Sequence, residues 1–302
     1  MSVVATEPAK PAPASAPRRR LLFAPYLLNL PALLVVGTLL LVPLAMTLIL
    51  SLHSFGMYTG VSSDISLKNY AEIVRDPYFH EIFLRTLRIS FLTTLLAAAL
   101  GAPEAYILHR MKGGWRAFFL LVMLGPLLIS VVARTLGWAM LLGSTGVINQ
   151  MLLGLGILSA PVQFMYTETG VVIALAHVLM PFMVISVWAA LQRLDPQVEN
   201  AAISLGASPF TVVRRIVLPQ IMPGILTGSI IVFALAASAF ATPAIIGGRR
   251  LKVAATLAYD EFLSTLNWPL GAAIAVLLLL ANIVIILGCN RLVERRYSQV
   301  FQ

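Results

Sequence analysis

From residue 21 onward, long apolar runs alternate with short polar stretches. The runs fall at 21–52, 83–109, 117–142, 169–192, 220–246 and 269–290. Each holds about 20 residues or more, the length an α-helix needs to cross a hydrocarbon layer roughly 30 Å thick. The pattern predicts an all-α, polytopic membrane protein with six transmembrane helices. The first run is too long for a signal-peptide core and has no small-residue cleavage site at its end, so it reads as a retained helix that Pro25, Pro31 and Pro43 could kink. Residues 1–20 are rich in Pro and Ala and end in Arg18, Arg19 and Arg20. Such a tail buries too little apolar area to offset chain entropy and is expected to be disordered. Six crossings place both ends of the chain on one side.

Composition agrees with the runs. The chain is 59% hydrophobic and 11% charged, against roughly 45–50% and about 25% in soluble domains, which disfavours a soluble enzyme. The net charge of +9 would suggest nucleic acid in a soluble protein, but here the basic residues sit between apolar runs. Lys10, the Arg18–Arg20 run, Arg110, Lys112, Arg116, Arg193, Arg214, Arg215, Arg291, Arg295 and Arg296 fall on one side of the six-span topology. Lys68, Arg75, Arg249, Arg250 and Lys252 fall on the other, diluted by Asp64, Glu72, Asp76, Glu81, Asp260 and Glu261. Retention of Lys and Arg on the cytoplasmic side explains this and puts both termini in the cytoplasm. Nucleic acid is excluded as a partner, and lipid takes its place. The single Cys289 excludes an intramolecular disulfide and a C-x-x-C pair.

Missing motifs narrow the chemistry. There is no G-x-x-x-x-G-K-[ST] loop to cradle a nucleoside triphosphate, so any ATP is used by another subunit and this chain needs no cofactor of its own. H-E-x-x-H is also absent. The four histidines, His53, His80, His109 and His177, are scattered, and no metal site is expected; His177 reads as an interhelical hydrogen-bonding group. Charges within spans are costly and usually partnered, so Glu104 and Arg134 read first as structural or interface groups.

The segment from Arg193 to Pro223 carries the strongest signal: R-L-D-P-Q-V-E-N-A-A-I-S-L-G-A-S-P-F-T-V-V-R-R-I-V-L-P-Q-I-M-P. Val198, Ala201, Ala202 and Leu205, then Phe210, Val213, Ile216 and Val217, recur at helical spacing and predict two short amphipathic helices. Asp195 before Pro196 and Ser208 before Pro209 are N-cap patterns, and Gly206 supplies the break. An ordered, half-apolar helix pair on the cytoplasmic side calls for a partner protein.

At these residues the chain resembles the permease subunits of binding-protein-dependent ABC importers, whose signature is E-A-A, three residues, Gly, nine residues, then I-x-L-P. Ala201, Ala202, Gly206, Ile216, Leu218 and Pro219 fit; Asn200 holds the glutamate place, with Glu199 one residue before it. Arg134–Trp138, Leu179–Met183 and Asn267–Ala273 add similarity to the spermidine/putrescine branch. The resemblance implies residues 21–290 as a six-helix type I permease domain in the bacterial cytoplasmic (inner) membrane, 193–219 as its coupling loop and 291–302 as a short cytoplasmic tail. It further implies ABC ATPase subunits below, a second permease beside it, and a periplasmic or extracellular binding protein that delivers cargo. The chain itself would be non-catalytic. Either Glu199 or Asn200 would make the polar contact with the ATPase.

If the cargo is a polyamine, aromatic faces and carboxylates should meet its ammonium groups. The candidates along the path are Arg134, Trp138, Tyr166, Glu168, Asp260, Glu261 and Trp268. An ion-coupled carrier or channel, and less readily an intramembrane hydrolase, are the competing classes. The carrier lacks midplane carboxylates, and the hydrolase lacks a paired nucleophile and base.

Overall fold

The structure, a computed structural model, describes residues 24–297. The tail at 1–20 and the last five residues lie outside them. The chain divides into two units, one ending at Met46 and one beginning at Thr47. The described part of the first is residues 24–46 of helix α1 (Ala24–Ser51), which continues through Pro31 and Pro43 and whose last residues belong to the second unit. Leu33, Val36 and Leu39 on it are exposed.

The second unit opens with a hairpin that hydrophobic periodicity did not anticipate, β1 (His53–Gly56) and β2 (Gly60–Ile65), paired antiparallel. The buried Asn69 amide, on α2 (Lys68–Arg75), donates to the carbonyls of Ser51 and His53 at 3.0 and 2.7 Å and fixes where the hairpin starts. Then follow α3 (Pro77–Arg110), α4 (Gly113–Leu128), α5 (Val131–Leu142), α6 (Val147–Gly154) and α7 (Glu168–Leu191). After them come α8 (Pro196–Ser204), α9 (Pro209–Val212), α10 (Leu218–Ala237), α11 (Ala254–Leu263) and α12 (Trp268–Tyr297). Six helical stretches among the described residues are long and apolar enough to cross a membrane: Asn29–Ser51, Pro77–Arg110, Val131–Gly154, Glu168–Leu191, Pro209–Ala237 and Trp268–Arg291.

Two of the expected spans change. The run at 117–142 is not one helix: α4 stops at Leu128, and Ile129 and Ser130 are extended before α5 begins. Pro126 cannot donate a backbone bond, and its carbonyl accepts instead from Ile129 N–H, at 3.3 Å, and from the Arg134 guanidinium. At 16 residues α4 is about 24 Å long, short of a full crossing, and the apolar stretch after the break is itself two helices, α5 and α6, separated by a turn at 143–146. The run at 220–246 begins earlier and ends earlier. α10 stops at Ala237, and the chain then folds into a π turn at Pro243–Gly247. At the other end of the chain, α12 carries the last helix beyond residue 290 to Tyr297.

Helix α7 is apolar all round because it is enclosed, with Val171, Leu175, Met183, Val187 and Leu191 buried. Small residues let its neighbours approach. A Cβ on Gly101 of α3 would lie 3.1 Å from Met183 Cγ, and one on Gly224 of α10 would lie 2.6 Å from Ala190 Cβ. Without a hydrophobic drive between helices in lipid, such close backbone packing is what holds the bundle together.

Candidate functional site

The segment from Arg193 to Pro219 is ordered by its own side chains. Asp195 Oδ1 accepts from Gln197 N–H at 2.9 Å at the start of α8, and Ser208 Oγ accepts from Thr211 N–H at 3.3 Å at the start of α9. Both caps satisfy N–H groups that a helix start leaves open. Gly206 adopts φ +87°. Around it, Gly206 N–H bonds Ile203 O at 2.9 Å and Ala207 N–H bonds Ala202 O at 3.0 Å. These two bonds define the Schellman closure that requires a left-handed residue.

The second helix does not stand alone. α9 runs through a π turn at Val213–Val217 directly into α10, with Leu218 N–H bonded to Val213 O. The wider turn accommodates Pro219 at the start of α10, which would interrupt a regular α ladder. The segment is thus helix α8 beside an extension of the fifth long apolar helix.

Its residues divide by face. Ala202 and Ile216 pack on the core formed by α3, α7 and α10. Asn200, Ala201, Gly206, Leu218 and Pro219 are exposed. Leu205 is 89% and Phe210 73% exposed, flanking the Gly206 turn, with Val198 and Ile203 also exposed. Glu199 behaves differently. It is 5% exposed, and its carboxylate is ion-paired with Arg110 at the end of α3. Sequence reasoning counted Arg110 only as a topological charge, although its place at the end of a span beside this loop was a usable signal.

The second set of candidates spreads over three local arrangements. Trp138 Nε1 donates to His177 Nδ1 at 3.2 Å, joining α5 to α7 as an interhelical hydrogen bond. One turn away, Arg134 ties the α4–α5 break, and its Nε is buried without a partner. At the start of α7, Glu168 pairs with Arg88 and lies 3.7 Å from Arg85 Nε. Arg85 Nη1 donates to the Lys252 carbonyl at 3.2 Å, and Lys252 Nζ pairs with Asp260 at 2.8 Å. Tyr166 sits beside them at φ +64°, a strained value for a bulky residue, with its N–H bonded to Ile246 O at 2.8 Å. A Cβ on Gly248, itself at φ +59°, would meet the Tyr166 ring at 2.9 Å, which fixes the turn that leads into Arg249 and Arg250. Glu261 and Trp268 lie at the α11–α12 corner, Glu261 accepting from Thr265 Oγ1 at 2.6 Å and Trp268 Nε1 donating to Phe262 O at 3.1 Å. The carboxylates of Glu168 and Asp260 therefore each already hold a cation of this chain. Lys252 stays protonated above its ordinary range, mainly through the hydrogen bond to Asp260.

Residues 21–299 match the family of binding-protein-dependent transport system inner membrane components. The chain belongs to that family. As such it is a multi-pass inner-membrane permease, and the readings as an ion-coupled carrier, channel or intramembrane hydrolase fall away. It is 30% identical over 235 residues to the spermidine/putrescine transport system permease protein PotB of Haemophilus influenzae, covering 77% of this chain and 82% of that protein. To PotB of Escherichia coli K12 it is 31% identical, covering 78% and 83%. Among solved structures it is similar to a bacterial alginate ABC transporter in complex with its pentasaccharide-bound periplasmic protein, with TM-score 0.73 and 21% identity over 91% of this chain and 94% of that one. At that identity the likeness concerns the permease fold.

Proposed function

We propose that this permease forms half of the path of an ATP-driven importer and that its coupling segment seats in an ATPase subunit. The observation that carries this is the Gly206 turn, where an ordered, doubly capped element leaves Leu205 and Phe210 exposed instead of burying them. Exposed apolar anchors on a rigid frame are the features of a docking surface. Asn200, exposed beside them, supplies the polar contact, while Glu199 is engaged within its own subunit. ATP-driven closure then moves α8 and the α9–α10 rod together. Both termini lie in the cytoplasm, a second permease completes the path, and a periplasmic binding protein delivers cargo.

The cargo we assign is a polyamine, supported by the spermidine/putrescine names of the PotB relatives. With Glu168 and Asp260 already paired, an ammonium group at the mouth exchanges places with Arg88 or Lys252, while Trp138 and Tyr166 offer π faces. The test is ATP hydrolysis by the reconstituted complex with its binding protein, scanned over putrescine, spermidine and neutral amino acids. Stimulation by the polyamines alone is expected. Stimulation only by a sugar or an anion would overturn the cargo, and failure of Leu205→Asp to weaken copurification of the ATPase would overturn the docking surface.

A further inference from the structure

Glu199 is the acid of α8 and faces into its own subunit, where its carboxylate is held by Arg110, the last residue of α3. The Arg110 guanidinium lies 5.1 Å from the centre of the Tyr106 ring, one helical turn back on α3, and the Tyr106 hydroxyl lies 3.5 Å from the same carboxylate oxygen. A carboxylate this buried is stable only when its charge is matched and hydrogen-bonded, and here both needs are met from α3. One residue further along, a side chain is turned by about 100° around the helix axis, which is why Asn200 stays exposed while Glu199 does not. An acid at 199 therefore addresses α3, and an ATPase cannot reach it without first taking it from Arg110.

The covalent routes out of α8 lead elsewhere. Backwards the chain enters α7, and forwards it passes the Gly206 turn into α9 and α10. Along either route a movement of α8 reaches α3 only through apolar packing in the core, whereas the ion pair, 89 residues apart in sequence, ties α8 to α3 directly. We infer that Arg110 and Glu199 are a positioning pair that locks α3 to α8, so that the second crossing helix travels with the coupling helix as one body. This rests on the seating of α8 in an ATPase proposed above. The pair touches neither nucleotide nor cargo. Its work is to keep the distance between two helices constant while a load is applied to one of them.

The test uses the full complex in liposomes, with Cys289→Ser as background and spin labels on cysteines replacing Ile107 of α3 and Gln197 of α8, both exposed. In the wild-type pair the distance between labels is expected to be the same without nucleotide and with ATP trapped by vanadate. In Glu199→Gln, which keeps size and shape, and in Arg110→Ala, the ATP-trapped distance should broaden and lengthen, and spermidine uptake per ATP hydrolysed should fall by about tenfold. Arg110→Lys, and the swap Arg110→Glu with Glu199→Arg, should restore a single distance. An unchanged distance in Glu199→Gln, a change in the wild-type pair, or a swap that assembles without restoring the distance would each overturn the inference. A merely structural pair would lower thermal stability and leave the ATP-dependent distance unaltered. Loss of the ATPase seat reads separately, as failure of the wild-type subunits to copurify. Absence of spermidine uptake in wild type would strike the cargo and leave the distance measurement standing.

Discussion

Trp138 on α5 and His177 on α7 are joined through the indole N–H, which donates to Nδ1 of the imidazole at 3.2 Å. The bond places the proton of a neutral imidazole on Nε2 and ties the helix that follows the α4–α5 break to the most enclosed helix of the bundle. Trp138→Phe should therefore lower thermal stability by about 1 kcal/mol, the scale of interhelical hydrogen bonds in membranes, without affecting ATPase copurification. A melting curve in detergent beside a pull-down checks both halves. Loss of the ATPase with unchanged melting would contradict the assignment.

Packing of α10 on α7 leaves no room at Gly224. An added Cβ would come within 2.6 Å of Ala190 Cβ and 2.9 Å of the Ser186 carbonyl, and the carbonyl belongs to helix backbone that cannot swing away. Gly224→Val should cost about 1–3 kcal/mol or more through overpacking, seen as loss of folded protein in the membrane fraction. Gly137→Ala is the control. Nothing lies within 4 Å of its added Cβ, so it should be neutral or stabilising by about 0.5–1 kcal/mol.

What the chain made legible follows from where its signals lie. The crossing helices could be read because each is a local run of apolar residues, and α8 could be read because Asp195-Pro196, Gly206 and Ser208-Pro209 are local backbone instructions. The stop after Leu128 was hidden because Ile129 and the residues around it are as apolar as the helices they separate. Gly125-Pro126 followed by Ser130 was the available sign. The π turn at Val213–Val217 escaped because Pro219 reads as a helix boundary when only α geometry is considered. The partners of Glu199, Glu168 and Asp260 are distant or between elements, so periodicity could not supply them. For that reason these acids looked available in sequence and are occupied in the fold.

The Lys252–Asp260 pair gives a pH dependence at the start of α11. The Lys252 ammonium has its pKa raised by Asp260, so the pair's stabilisation is fully present below the ordinary lysine value of 10.5 and is lost as pH rises through the higher folded value. Asp260→Asn should abolish that dependence, leaving stability above about pH 10 less steep than in the wild-type chain. Parallel melting curves across about pH 10–12 check it, and identical slopes for the two proteins would show that the pair contributes nothing measurable.

Gly206 separates conformational demand from spatial demand. Its φ of +87° is one that L side chains rarely adopt, while nothing lies within 4 Å of an added Cβ. Any effect of substitution must then come from the backbone, at about 1–2 kcal/mol for a residue forced into the left-handed region, and not from a clash. The ranking Gly > Asn > Ala > Val is expected at 206, because Asn tolerates that region and a β-branched residue tolerates it least. Since α7 and α10 pack independently of the turn, Gly206→Val should insert and fold but angle α8 away from α9, spreading Leu205 from Phe210. Cargo uptake should fall with ATPase copurification while membrane abundance stays within about twofold of wild type. Wild-type uptake in Gly206→Val, or an order in which Asn is worse than Ala, would mean that the turn does not set the geometry of the docking surface.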